Sequence, residues 1–192
     1  MTRKEQETLF EKCRTYRRFL QKPLPEGLLS YLVGIAHKRS CGRNGQVLSF
    51  YAAVSSKALA ALLPHLHWAA ALPKEIGTPQ KEEEPVALIF LVRPKDASPI
   101  SLIDAGIAVD SMAYCAMCEG VGSAILAAPI RAAILSRGFW ALKRIRRSFF
   151  VLPLAIQPTR APWSLYRKAE PLIIMWMKKG IILFPKRTCP MS

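Results

Sequence analysis

Acidic residues are almost missing from the end of this chain. Residues 138–192 contain a single acid, Glu170, against 11 Lys and Arg, while the formal net charge of the whole protein is +15. A charge of that size ordinarily points to nucleic acid or an anionic surface, but its confinement to one end leaves the rest of the chain near an ordinary balance. Also missing is any uncharged apolar run of the roughly 18 residues that span a bilayer. The best candidate, ALAALLPHLHWAAALP, is broken by two Pro and two His. The opening MTRKEQETLFEKC lacks the apolar stretch of a secretory signal, so a cytoplasmic protein is expected. Five Cys without repeating spacing argue against a disulfide framework. Cys115 and Cys118 have a redox-like spacing, but they fall inside an apolar helical pattern without a partner pair and read as packing; no metal site is expected.

What is present suits one domain. Leu9, Phe10 and Cys13 recur at helical spacing, and a second helix is expected to start near Pro25, with Leu28, Leu29, Leu32, Ile35 and Ala36 on one face. VLSFYAAVSS reads as a strand and SKALAALLPHL as a short helix, while TPQKEEEP reads as a solvated loop. VALIFLVRP is a continuous apolar run between turn residues, the pattern of a strand buried on both faces. From Ser101 to Glu119 the period is helical again, closed by the turn EGVGS; another helix, PIRAAILSRG, follows. After Gly138 no helical or alternating period is sustained.

Three short stretches carry chemistry. In CRTYRRF, Arg14, Arg17 and Arg18 surround Thr15. Guanidinium groups hold a phosphate with two donors each and a hydroxyl adds another, so the cluster suits a phosphorylated cofactor, or else forms a solvated basic face. Asn44 and Gln46 offer donors and acceptors for the polar edge of a flat heterocycle, or else ordinary turn chemistry. Gly120 and Gly122 allow a close backbone approach to a ligand, or else a helix C-cap. No side chain announces itself as a general acid or base, so the catalytic residues are unknown.

The order of these stretches resembles the FMN-dependent nitroreductases, in particular the short bacterial members. Arg14, Thr15, Arg17 and Phe19 match an opening like R-S-x-R-x-F with Thr for Ser. Asn44 and Gln46 match a loop of the type S-x-x-N-x-Q-P, with Cys41 for Ser and Val47 for Pro. PHLHWAAAL resembles a PHLxWA segment, and DAGIAVDSMAYCAMCEGVGS a helix beginning D-x-G-I-A and ending G-L-G-S, with Asp110 where Gln is common. The resemblance covers residues 1–137 and implies an α+β fold, an antiparallel sheet flanked by helices. It also implies a homodimer with FMN at its interface, and an oxidoreductase passing electrons from NAD(P)H to nitroaromatic, quinone or similar small-molecule acceptors. On that reading Arg14, Thr15 and Arg17 serve phosphate and ring, Asn44 and Gln46 the polar edge, and Gly120 and Gly122 the backbone approach. On the same reading neither nucleic acid nor membrane is an expected partner.

Residues 138–192 depart from the family. Its expected ALGYP and Y-x-x-D-E-x-G patterns are absent, yet they emerge when the tail is decoded one nucleotide earlier, so the segment reads as a frameshifted version of the family's C-terminus, aberrant and not native-like. On this reading residues 1–137 form an incomplete FMN-binding domain, a sheet edge is left uncovered, and the chain as written is expected to aggregate and to bind FMN poorly. Two alternatives stay open: a nonfunctional frameshifted product, and a basic protein that binds nucleic acid or anionic lipid through this tail.

Overall fold

The computed structural model describes residues 1–69, 72–94, 96–126 and 148–156. Helix α1 (Arg3–Lys12) starts at Thr2, whose hydroxyl accepts from the Glu5 N–H while the Glu5 carboxylate accepts from the Thr2 N–H, a reciprocal cap. Helix α2 (Leu28–Lys38) follows Gly27, which enters it at φ 71. Its buried residues are Leu28, Leu32, Val33 and Ala36. Strand β1 (Ser49–Ala53) leads to helix α3 (Ser56–Leu62), capped by the Ser55 hydroxyl. A one-turn helix α4 (Lys74–Gly77) precedes strand β2 (Ala87–Val92), buried at every position as the unbroken apolar run predicts. Helix α5 (Ile100–Cys118) and the short strand β3 (Val121–Ser123) come next. The expected turn EGVGS is thus half turn and half strand. The helix expected at PIRAAILSRG lies outside the described residues.

Strand β4 (Ser148–Ile156) departs from one expectation for the tail, the uncovered sheet edge. It falls within the segment that lacked a period, yet it lies in the sheet between β2 and β3, in the order β1-β2-β4-β3, antiparallel to both neighbours. The sheet side expected to be uncovered is filled by the residues as written. A central strand buried on both faces has no polar alternation to display, which is why a test for periodicity passed over it. Pro153 would ordinarily argue against an interior strand. Here the carbonyl of the adjacent Leu154 accepts from the Val86 N–H at 3.1 Å, so the backbone groups of Leu154 face β2 and those of Pro153 face the other way. On that side β3 has already ended, with Ser123 opposite Leu154, and the absent N–H removes no ladder bond.

The core has two halves, one on each face of the sheet. Ala87, Ile89 and Leu91 of β2 join Leu32 of α2, Met112 of α5, and Leu152 and Leu154 of β4 on one face. Leu88, Phe90 and Val92 join Phe19, Leu62 and Trp68 on the other. Alternation along one strand therefore serves two helical layers. By length and composition α5 would also suit a membrane span, but half of it is buried inside the fold, against the sheet and α2.

Candidate functional site

The basic cluster is built at one end of the sheet. Beyond α1, Thr15 forms a parallel bridge with Ser123, and the Tyr16 N–H donates to the Ser123 carbonyl at 2.9 Å. A few residues on, the Phe19 N–H donates to the Glu83 carbonyl at 3.1 Å and the Leu20 N–H to the Ile156 carbonyl at 2.9 Å. The fold thereby brings Arg14, Thr15 and Arg17 beside the strand that contains Gly122, two stretches far apart in the chain.

The three arginines have separate fates. Arg14 is exposed. Arg17 is half-buried, and its Nε is buried with no hydrogen-bond partner among the described residues. Arg18 is committed to structure: it pairs with Glu83 Oε2 at 3.1 Å and donates to the carbonyls of Thr78 and Glu75. Its inclusion in the phosphate cluster is therefore corrected. TPQKEEEP is more than a solvated loop, because it clamps the arginine segment through Glu83 and through the Glu84 carbonyl, which accepts from Gln21 Nε2 at 2.5 Å.

Gly120 ends α5. It has φ 72, its N–H donates to the Met117 carbonyl at 3.0 Å, and an added Cβ would meet nothing within 4 Å. Conformation, and not space, reserves the position for glycine. Gly122 lies within β3, opposite Ala155. The Leu66 and Trp68 of the PHLHWAAAL stretch are buried in the core, with Trp68 tilted against Phe19 at 6.3 Å between ring centres.

Asn44 and Gln46 are elsewhere. They belong to a tight loop between α2 and β1 in which Arg43, Asn44 and Gln46 all have positive φ, at 53°, 51° and 44°. Non-glycine residues in the left-handed region cost of order 1–3 kcal/mol each and persist only where surroundings hold them. Gln46 Oε1 lies 3.4 Å from His37 Nδ1, while Gln46 Nε2 donates to the His37 carbonyl and to Asn44 Oδ1, each at 3.4 Å. From the other side the Gly42 N–H donates to Asp104 Oδ1 at 2.8 Å. Asp104 and His37 were missed by the sequence reading; the available signal was a carboxylate, Asp104, among the apolar residues of ISLIDAGIAV.

One chain does not unite the two sets of residues. The loop leads into Ser49, which pairs with Val92, whereas Ser123 pairs with Leu154 and so with the Ala87 end of β2. At about 3.4 Å per residue, the two ends of β2 are roughly 17 Å apart. Helix α5 spans the same gap: Asp104 touches the loop, and Gly120 turns into β3 roughly 24 Å away at 1.5 Å per residue.

The cysteines make a third, separate group. Burial pushes the Cys13 thiol up, with the Asp110 carboxylate and Cys118 adding to it, and burial also raises Cys118. Cys118 is nevertheless exposed and Cys115 half-buried, so neither belongs to the buried core in which the CAMC stretch was expected to pack. Among the described residues no group of His, Cys, Asp or Glu is arranged to hold a metal.

No family model matches the sequence, and no curated protein matches it. Solved structures do match. A nitroreductase family protein from Clostridium novyi NT superposes with a TM-score of 0.64 at 18% identity, covering 80% of this chain and 85% of that one. Iodotyrosine deiodinase bound to FMN and 3-iodo-L-tyrosine gives 0.65 at 18% identity, covering 88% and 97%. A variant of an FMN- and NADPH-dependent nitroreductase from Sphigopyxis sp. strain HMH gives 0.63 at 14% identity, covering 81% and 90%. With β4 in place between β2 and β3 and helices on both faces of the antiparallel sheet, this chain has the nitroreductase fold.

Proposed function

We propose that the protein is an FMN-dependent oxidoreductase of the nitroreductase kind, cytoplasmic, drawing electrons from NAD(P)H and delivering them to a nitroaromatic, quinone or similar small acceptor. The observation that carries this reading is Arg17: its buried Nε has no hydrogen-bond partner among the described residues, two positions along the chain from Thr15 and three from the exposed Arg14. A buried donor left unpaired is unfavourable by about 1–3 kcal/mol, so its retention fits an anionic ligand, and a phosphate matches the donor set. When bound, FMN would supply the hydride-accepting and electron-passing chemistry. Arg14, Thr15 and Arg17 would hold its phosphate end, and Asn44 and Gln46 the polar edge of its ring. Gly122, within β3, would let the backbone come close.

Because these groups lie at opposite ends of the sheet, the reading requires a second copy of the chain. Each site would take its arginines from one protomer and its Asn44–Gln46 loop from the other, which makes the homodimer part of the site. The helical layer has apolar surface to support such pairing: Ile103 is 64% exposed and Phe10 63%, and Phe10 packs its ring 5.1 Å from Tyr114 of α5. The deciding experiment is a titration of the purified 192-residue chain with FMN, followed by quenching of flavin fluorescence, alongside size-exclusion chromatography. With β4 seated in the sheet as written, stoichiometric binding in a dimer is expected in place of the poor binding and aggregation expected from the sequence. A monomer, or a chain without flavin affinity, would sink the proposal.

A further inference from the structure

The loop that carries Asn44 and Gln46 is strained at three residues, so something must hold it. The local sequence does not: none of Arg43, Asn44 and Gln46 is glycine. The restraint comes from the start of α5. Asp104, 7% exposed, accepts the Gly42 N–H at 2.8 Å, and this is its hydrogen bond among the described residues. Ile100, one turn earlier on the helix, lies so close that a Cβ built on Gly42 would stand 2.9 Å from its side chain. The start of α5 is itself fixed, since Arg93 Nη1 donates to the Ala97 carbonyl at 2.6 Å and to the Ser101 hydroxyl at 3.1 Å. The His37 ring completes the arrangement, edge-on to Phe50 at 5.2 Å and 3.4 Å from Gln46.

A buried carboxylate is expensive to desolvate, and a lone backbone N–H is modest return for it in stability alone. Its position accounts for it better. From these contacts we infer that Asp104 is a positioning residue: by gripping the Gly42 N–H it keeps Arg43, Asn44 and Gln46 at positive φ and directs Asn44 and Gln46 toward the ligand. The inference rests on the flavin reading of the site, and it assigns to α5 a task separate from its packing. The positive φ values are then sustained by a charge-assisted hydrogen bond from outside the loop, and the loop is preorganised before any ligand arrives.

The test compares Asp104→Ala and Asp104→Asn in the full chain by two measurements, amide hydrogen exchange of the peptide covering residues 41–48 without ligand, and affinity for FMN. Asp104→Ala is expected to speed exchange in that peptide about tenfold while α2 and β2 stay protected, and to weaken FMN about tenfold. Asp104→Asn keeps an oxygen acceptor for Gly42, and both values should return to within about threefold of the parent. Equal loss in the two variants, or unchanged exchange in Asp104→Ala, overturns the inference. Should Asp104→Ala fail to fold, Gly42→Ala takes its place, because the added methyl drives the loop from Ile100 with the carboxylate intact; unchanged exchange there also overturns it. If the parent protein binds no FMN, the flavoprotein reading fails, and the exchange measurement still decides whether Asp104 holds the loop.

Discussion

Replacing Arg17 by Met separates a structural arginine from one that waits for a ligand. Met keeps most of the apolar stem and removes the guanidinium. The Arg17 Nε is buried without a hydrogen-bond partner among the described residues, so its removal relieves a penalty of about 1–3 kcal/mol instead of breaking a bond. For a chain of this size 1 kcal/mol corresponds to roughly 2–4 °C in Tm, and the variant should melt at the same temperature as the parent or a few degrees above it. FMN binding should move the other way. Loss of a charge-assisted hydrogen bond is worth about 1.5–3 kcal/mol, which weakens affinity roughly ten- to a hundredfold. The two effects meet in one assay. At an FMN concentration about 100 times the parent Kd, the ligand stabilises the parent by about 2.7 kcal/mol, whereas a thirtyfold weaker variant gains only about 0.9 kcal/mol. Thermal unfolding with and without FMN reads both. An Arg17→Met protein that melts lower without ligand and keeps the parent's FMN-induced shift would refute the reasoning and return Arg17 to the fabric of the fold.

Arg18→Ala should show the opposite signature, lowering stability by about 1–2 kcal/mol through its lost carbonyl bonds while leaving FMN affinity within about twofold, since its exposed pair with Glu83 adds little; chemical denaturation and FMN titration check the pair of values. The division of the site between two chains predicts complementation. When Arg17→Met and Gln46→Leu proteins are unfolded, mixed in equal amounts and refolded, half of the dimers are mixed and each has one undamaged site, so about a quarter of all sites should recover parent affinity; a site built within one chain would recover none. Leu154→Ala should destabilise the protein by about 2–5 kcal/mol, because Leu154 is fully buried between β2 and β3. A neutral result in urea unfolding would mean that the written β4 is not part of the sheet.

The sequence by itself determined the elements whose signals are local. The spacing of Leu28, Leu32 and Ala36, the unbroken apolar run of β2 and the glycine at position 120 each depend on a few neighbouring residues, and each is read along the chain. The three stretches with chemistry were legible for the same reason. Tertiary structure alone decided which of them meet. Arg17 and Arg18 are adjacent and chemically identical, yet Arg18 is spent on Glu83 and the carbonyls of Thr78 and Glu75 while Arg17 has a buried donor without a partner among the described residues. Their difference lies in what the loop at residues 75–83 places against them, and no property of the arginines encodes it. The same holds for β4, whose apolar residues have no period of their own and become a strand only between β2 and β3, and for Asp104, an acid in an apolar helix until the fold brings Gly42 to within 2.8 Å. Local periodicity reports the face a residue turns to the core; a hydrogen bond between distant parts of the chain is fixed only when the packed core brings donor and acceptor together.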